Sequence, residues 1–188
     1  MRKIKRIHYH PCSTVCHGEC ERILVSQIGL NNGKPLNPLC DKNGRISIII
    51  NTVNDYLSSH FSTRTAYIKK FKDCLKYDKK QIFNHKMFCI MDKDDAPDGL
   101  FEKYINGQLF SHHWWSKENY IVPIYFDPNM DEIFKKHGFK IDTSNHKPAQ
   151  YMRLLTTKYN EVIQMLKSLP LNESNIKVFI EYVENFDF

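Results

Sequence analysis

The sequence predicts an α/β fold, with a mainly parallel sheet flanked by helices. Short apolar runs alternate along the chain with amphipathic segments, a pattern typical of strands joined by crossover helices. Hydrophobic residues make up 41% of the 188 residues and charged residues 26%, which favours a packed core and excludes a disordered chain. Seven glycines and eight prolines are too few for a low-complexity chain.

The first half of the chain predicts one buried strand and three helices. Residues 12–16 (CSTVC) are short, apolar and β-branched, as in a buried strand. Helical patterns with start or stop signals occur in three later segments, 19–28, 47–59 and 64–80. We expect Gly29 to end the first of these helices and Ser47 to cap the second.

The second half predicts two strands and four helices. Residues 86–91 (KMFCIM) form the clearest buried strand, and 120–126 (YIVPIYF) a further strand that Pro123 places at an edge or bulge. Helices are expected over 98–106, 128–137, 149–168 and 173–184. We divide the chain into an α/β domain, residues 1–140, and a short C-terminal helical appendage, residues 141–188, that packs on the domain or mediates assembly.

The apolar content also bears on location. No stretch approaches the ~20 apolar residues that a bilayer span requires, so we expect no membrane partner. The basic start, MRKIKRIHYHPC, reaches no apolar segment of the kind that a secretory signal needs. We therefore expect a cytoplasmic protein.

A basic block is the main charge feature. Lys and Arg number 27 against 21 Asp and Glu, a net charge of +6, which favours polyanionic partners without establishing one. The candidate nucleic-acid-binding residues are the lysines of the 64–80 segment, Lys69, Lys70, Lys72 and Lys76. The alternative is a solvated face of an amphipathic helix.

Three cysteines recur every four residues near the N-terminus. Cys12, Cys16 and Cys20 stand beside several histidines, a composition that a zinc site also has. Gly18 separates the predicted strand from the predicted helix, however, so the three thiols would not face one point. We expect small buried thiols there instead.

Acidic residues follow the clearest strand. The KMFCIM strand runs into Asp92, Asp94 and Asp95, and Asp92 and Asp94 alternate with a lysine, so both can project the same way. Converging carboxylates repel one another, and their hard oxygens suit Mg²⁺ or Mn²⁺. The alternative is an acidic turn in which Asp94 or Asp95 caps the next helix.

The junction after the first strand adds a further carboxylate. In HGECE, His17 and Glu21 are four residues apart and so share one side of the opening helical turn. Because functional groups gather beyond the carboxyl ends of parallel strands, Glu21 would join Asp92 and Asp94 in a three-carboxylate site. For His17 alone, a helix-capping or hydrogen-bonded role is the simpler interpretation.

At this point the sequence resembles a family. The stretches VCHGECE (15–21), MFCIMDKDDA (87–96) and YIVPIYFDPNMDEIF (120–134) follow one another as in the Toprim domain of topoisomerases, primases and some nucleases. They look most like the small RloB-like proteins of bacterial phage defence. The resemblance spans roughly residues 12–140 and implies a Toprim-like sheet.

The resemblance also implies a function. It implies a metal-dependent phosphodiesterase that cleaves DNA or RNA as the effector of an anti-phage system, with Mg²⁺ or Mn²⁺ as cofactor and a partner ATPase or a homo-oligomer. The implied catalytic residues are His17, Glu21, Asp92 and Asp94. The implied metal ligands are Glu21, Asp92, Asp94 and Asp95. A lysine that neutralises transition-state charge is expected among Lys93, Lys136 and Lys147.

The main departure from the family is His17, which stands where Toprim enzymes carry a glutamate before the glycine. Either His17 binds metal or acts as general base, or Glu21 takes the carboxylate role, or the site is inactive. The last case makes the chain a binding subunit that partners an ATPase, for which the paired Trp114 and Trp115 are the best local sign of an interface. The pair would otherwise pack in the core.

An aspartyl phosphatase of the haloacid-dehalogenase type also uses Asp-x-Asp after a strand. That motif normally lies near the N-terminus with Thr or Val after its second aspartate, and here it lies mid-chain with Asp95 following. A glycosyltransferase is disfavoured as well, because no nucleotide-sugar domain of adequate size surrounds the motif.

Overall fold

The fold centres on a three-stranded parallel sheet. The computed structural model describes residues 12–34, 36, 38–71, 75, 77–78, 81–83, 85–94, 96–111, 114–115, 120–142 and 146–186. Its strands are β1 (Cys12–Cys16), β2 (Tyr77–Asp78), β3 (Gln81–Ile82), β4 (Lys86–Asp92) and β5 (Ile121–Phe126). The order β1–β4–β5 forms the parallel sheet, and β2 pairs with β3 as a small antiparallel hairpin. Three candidate site residues, Lys72, Lys76 and Asp95, lie outside the described residues.

Helices surround this sheet. In the described part of the chain they are α1 (Glu19–Asn31), α2 (Val53–Phe61), α3 (Arg64–Phe71), α4 (Leu100–Ile105), α5 (Met130–Lys136), α6 (Lys147–Thr157), α7 (Tyr159–Ser168) and α8 (Ile176–Glu184). Two 3-10 turns, Lys42–Gly44 and Gln108–Phe110, complete the elements. The predicted α/β class, with a mainly parallel sheet, is confirmed.

Two cores lie on opposite faces of the sheet, because successive residues of a strand face opposite sides. From the central strand β4, Phe88 and Ile90 enter the first core, which α1 and the helices α5 to α8 cover. Met87 and Met91 enter the second core, which α2, α3 and α4 cover and which encloses Trp115 completely. The C-terminal helices thus pack on the same sheet face as α1.

Several helix boundaries differ from the predicted ones. Helix α1 continues past Gly29 to Asn31, and Gly29 is needed for a close approach, since a Cβ there would lie 2.6 Å from the Lys34 carbonyl oxygen. Ser47 does not cap a helix. Ile48 instead donates its N–H to the His17 carbonyl at 2.8 Å in an extended segment, and α2 begins at Val53.

The predicted helix over 64–80 is confirmed over α3 and wrong at Tyr77–Asp78, which form strand β2. After α3, two buried side chains pack in the second core: Leu75, which precedes the β2–β3 hairpin, and Ile82, which lies in β3. The predicted helix over 149–168 is two helices, α6 and α7, that meet at Lys158, where φ is −131° and ψ is 32°.

Strand β5 lies at the sheet edge, as Pro123 predicts, and a short segment covers that edge. Asn175 accepts from the Tyr125 N–H at 2.9 Å and donates to the Pro123 carbonyl at 2.9 Å. The Ser174 hydroxyl donates to the Tyr125 carbonyl at 2.5 Å. The side chains before α8 therefore replace a neighbouring strand and protect the edge from pairing with another chain.

Replacing Asn175 with alanine is expected to lower the free energy of unfolding by about 1–2 kcal/mol, because it leaves a backbone donor and a backbone acceptor of β5 without partners. Urea denaturation followed by circular dichroism measures the change. The matched control is Asn172→Ala in the same turn, at an exposed position, where we expect a change within about 0.5 kcal/mol. Equal losses in the two variants would contradict the edge-covering role of Asn175.

Candidate functional site

A cavity of about 240 Å³ lies where the parallel strands end. The residues with chemistry to offer there are His17, Glu21, Asp92, Asp131 and Lys147. They come from three strand-to-helix junctions and from the start of α6, because the carboxyl ends of parallel strands meet at one edge of a sheet. Two of them, Asp131 and Lys147, lie beyond the two motifs that define the predicted three-carboxylate site.

Glu21 is held in the first turn of α1. Its side chain is buried, and its carboxylate accepts a hydrogen bond from the Gly18 N–H at 2.9 Å. A Cβ at position 18 would lie 3.3 Å from that carboxylate, so glycine leaves the approach open. Burial raises the pKa of Glu21, against the opposing influence of His17 and of backbone N–H groups.

Asp92 closes the central strand beside Glu21. Its side chain is 8% exposed, and its carboxylate accepts from the Met130 N–H at 3.2 Å, at the start of α5. Burial, followed by the nearby Glu21 charge, raises the pKa of Asp92 to about 9. Without a cation the carboxyl group is therefore protonated at neutral pH.

Asp94, unlike Asp92, does not line the cavity. The chain turns after β4, where the Lys93 and Asp94 N–H groups both donate to the Pro128 carbonyl. Asp94 is exposed and accepts from the Asn129 side chain at 2.5 Å, so it does not line the cavity with Asp92. It stays close enough for its charge to contribute to the raised pKa of Asp92.

Asp131 is the acidic residue that sequence reasoning missed. It stands in the first turn of α5, lines the cavity and raises the pKa values of both Glu21 and Asp92. Its carboxylate accepts from the Tyr151 hydroxyl at 2.8 Å and forms an ion pair with Lys147. Its position in the sequence could have identified it. Asp131 lies in the first turn of the helix after the last strand of the sheet, as Glu21 lies in the first turn of the helix after the first strand.

The three candidate lysines have different surroundings. Lys147 lines the cavity, and its hydrogen bond to Asp131 raises its pKa. Lys93 pairs with Asp127 at 2.5 Å, and Lys136 pairs with Glu173 at 2.6 Å, both away from the cavity lining. The geometry therefore favours Lys147 for a charge-neutralising role.

His17 lies directly after β1. Its backbone N–H donates to the Ile90 carbonyl at 2.8 Å, which fixes the residue against the central strand. His17 lines the cavity together with Glu21, but it precedes the extended N-cap Gly18 and so lies outside the opening turn of α1 that the sequence predicts for it. Its charged form lowers the pKa of Glu21, so the two side chains are electrostatically linked.

Three of the described cysteines are buried in the core. Cys12, Cys16 and Cys89 are buried thiols of the core, and burial raises their pKa values well above the ordinary one. Cys20 lines the cavity at a half-buried position. Among the described residues, no three His, Cys, Asp or Glu side chains are arranged so that together they could bind a metal ion.

Helix α3 of the basic segment does not line the cavity. On α3, Lys69 and Lys70 are exposed, while the Tyr67 hydroxyl on the buried side contacts Ser13 at 2.8 Å and His85 at 2.7 Å. Ser13 and His85 lie at the amino ends of β1 and β4. The exposed lysines of α3 are therefore nearer the opposite end of the sheet from Glu21 and Asp92.

Comparisons with known proteins add no assignment. No protein-family model, no curated protein and no solved structure matches the chain. In the described part of the chain, no helix has the length and apolar character to cross a membrane.

Gly44 supports the cavity wall and offers a test of it. Its φ is +85°, and a Cβ there would lie 2.7 Å from backbone atoms of Glu19 at the start of α1. Gly44→Ala is therefore expected to cost about 1–3 kcal/mol more than Gly33→Ala in urea denaturation. Gly33 has a similar φ of +65° but open space around it, so it controls for backbone strain alone. Equal losses in the free energy of unfolding for the two variants would mean that the close contact between Gly44 and the start of α1 does not contribute to stability.

Proposed function

We propose that the protein is a divalent-metal-dependent phosphodiesterase that cleaves nucleic acid. The observation that carries this proposal is the pair of buried carboxyl groups, Glu21 and Asp92, in a cavity that Lys147 also lines. Two like-charged groups out of solvent raise each other's pKa, and a bound cation relieves their repulsion. Such a site suits a substrate that is itself an anion.

The donor set fits a hard cation. Mg²⁺ is commonly held by one or two carboxylates, with water and substrate phosphate oxygens completing its coordination. Glu21 and Asp92 would supply the protein ligands, with Mn²⁺ as the alternative ion. Asp94, exposed at the same strand end, and Asp131 are further carboxylates close to the pair.

The chain's own groups would share the chemistry. A bound metal ion polarises a phosphodiester and lowers the pKa of water. Lys147 neutralises charge on the phosphate oxygens as the bond to the leaving group breaks. Asp131 holds Lys147 at the cavity through their ion pair. His17 lines the same cavity, and its imidazole accepts the proton that the attacking water loses, the role of a general base.

The proposal extends to biological setting. The net charge of +6 and the exposed Lys69 and Lys70 support a polyanionic substrate. The resemblance to RloB-like proteins supports a role as the effector of a bacterial anti-phage system, in the cytoplasm, with a partner ATPase or a second copy of the chain controlling activity.

The first experiment incubates purified protein with single-stranded and duplex DNA and RNA in Mg²⁺, in Mn²⁺ and in EDTA. We expect cleavage in either metal ion and none in EDTA. Hydrolysis of a small aryl phosphate without cleavage of nucleic acid would instead indicate a phosphatase. Failure to cleave with and without a co-expressed ATPase, together with no metal-induced rise in Tm, would favour the non-catalytic binding subunit.

A further inference from the structure

The carboxylate of Asp131 has a different partner at each oxygen. Its Oδ1 accepts a hydrogen bond from the Tyr151 hydroxyl at 2.8 Å, and its Oδ2 accepts one from the Lys147 ammonium group. Lys147 and Tyr151 are four residues apart on α6, so both lie on the face of α6 that meets the start of α5. Together the two donors fix the rotation of the carboxylate about its side-chain bond.

The two donors differ in how firmly the fold holds them. Tyr151 is fully buried, and its ring packs against Phe134 with 5.2 Å between the ring centroids. Because Phe134 lies three residues after Asp131 on α5, core packing sets the position of the Tyr151 hydroxyl relative to Asp131. The Lys147 side chain is 38% exposed and has a flexible four-carbon stem. Its position therefore depends on the carboxylate to which it bonds.

The Tyr151 hydroxyl serves Asp131 as a hydrogen-bond donor. Burial, followed by the charge of Asp131, raises the pKa of Tyr151 far above the physiological range, so the hydroxyl keeps its proton. Tyr151 does not line the cavity, whereas Asp131 and Lys147 do. A phosphate in the cavity would thus meet Lys147 and not Tyr151. An effect of the hydroxyl on the reaction would pass through Asp131 and Lys147.

We propose that Tyr151 is a positioning residue of this site. Its hydroxyl holds Asp131 in the orientation that keeps the Lys147 ammonium group at the cavity. Without the hydroxyl the carboxylate is free to rotate, because 19% of the Asp131 side chain is open to solvent and water can replace the lost donor. The effect of Tyr151 on cleavage rests on the proposed phosphodiesterase, whereas its hold on Lys147 does not.

The hold on Lys147 is measured without any cleavage. An amine-acylating reagent modifies an ion-paired lysine slowly, because the reactive form is the neutral amine and the ion pair stabilises the ammonium. Peptide mass spectrometry of the metal-free protein then gives the acylation rate of each lysine. We expect Tyr151→Phe to raise the rate at Lys147 by roughly 2- to 10-fold, the range that the loss of one hydrogen bond implies. Asp131→Asn, which removes the ion pair itself, should raise the rate further.

Two controls separate this effect from a general loosening of the fold. Lys167 is also ion-paired, at 2.6 Å, and its side chain is 34% exposed, close to the exposure of Lys147. Its acylation rate should stay the same in Tyr151→Phe. Tyr159→Phe removes a hydroxyl from the start of the next helix, α7, and should leave the rate at Lys147 unchanged.

Cleavage kinetics give the second test, a double-mutant cycle. Tyr151→Phe is expected to lower kcat by roughly tenfold with little change in KM, because Lys147 acts on charge that is greatest in the transition state. In a Lys147→Met protein the same substitution should lower kcat by less than about twofold, since no lysine is left to position. A purely structural role of Tyr151 would lower kcat by the same factor in both proteins.

Two outcomes would overturn the proposal: an unchanged acylation rate at Lys147 in Tyr151→Phe, or an equal fall in kcat with and without Lys147. Faster acylation in a protein that cleaves no nucleic acid would support the hold on Lys147 and contradict only the phosphodiesterase. Metal-dependent cleavage together with an unchanged acylation rate would support the phosphodiesterase and contradict only the role of Tyr151.

Discussion

Asp92→Asn is expected to reduce metal-dependent cleavage by at least ~10³-fold while the protein stays folded. The substitution preserves shape, and the new side-chain oxygen still accepts from the Met130 N–H. What it removes is the negative charge that a divalent cation needs. Cleavage rates at saturating Mn²⁺, together with circular dichroism of the purified variant, measure both parts of this expectation.

The same substitution should flatten the pH dependence of stability. Asp92 has its ordinary pKa of 3.8 when unfolded and about 9 when folded. Between these values the folded protein holds a proton that the unfolded chain releases, so the metal-free protein loses stability as pH rises from about 4 to about 9. Urea denaturation in EDTA at pH 5 and pH 8 should show a smaller difference for Asp92→Asn than for the unsubstituted protein.

Asp94→Asn is the matched control, because it removes the same charge two residues away at an exposed position outside the cavity lining. We expect a cleavage loss of no more than about tenfold. An equal loss in both variants would mean that Asp94 turns inward and binds metal as the sequence motif implies. Unchanged cleavage in Asp92→Asn would contradict the proposed function itself.

The sheet was predictable because its strands carry strong local signals. Residues 12–16 and 86–91 are bounded apolar runs, and Pro123 lacks the N–H that an interior strand needs, which predicts an edge or a bulge for the strand at 120–126. Helix ends were less predictable, because long-range contacts decide them. Ser47 does not cap a helix because the next residue, Ile48, donates its N–H to the His17 carbonyl, and that partner is far away in the sequence.

The candidate site divides in the same way. Asp92 ends strand β4 and Glu21 lies in the first turn of the helix after β1, so their meeting at the carboxyl edge of the sheet could be predicted from the order of the elements. Asp94 could not be placed by alternation, because the strand ends at Asp92 and the chain turns immediately afterwards. The sequence offers Lys93, Lys136 and Lys147 equally as candidates for the charge-neutralising lysine. Only the contact between α6 and α5 shows that Lys147 lines the cavity. Selection of that kind requires the tertiary fold.

Lys147→Met is expected to reduce cleavage by about 10²- to 10³-fold, the loss typical of removing one group that stabilises charge in a transition state. Methionine keeps the length of the side chain and its packing against the cavity wall while removing the ammonium group. The loss should fall mainly on kcat, because charge on the phosphate oxygens is greatest as the bond breaks. Single-turnover rates and binding of an uncleavable oligonucleotide separate the two effects.

Lys93→Met and Lys136→Met are the controls for this prediction. Each removes one positive charge and one ion pair, with Asp127 and Glu173 respectively, but neither lysine lines the cavity. We expect each control to lose less than about fivefold, since surface ion pairs contribute little. Because all three variants change the net charge equally, a common loss would indicate general attraction of the substrate by positive charge. A loss confined to Lys147→Met would instead locate the reacting phosphate at the cavity between α1, α5 and α6, where Asp131 holds the lysine in place.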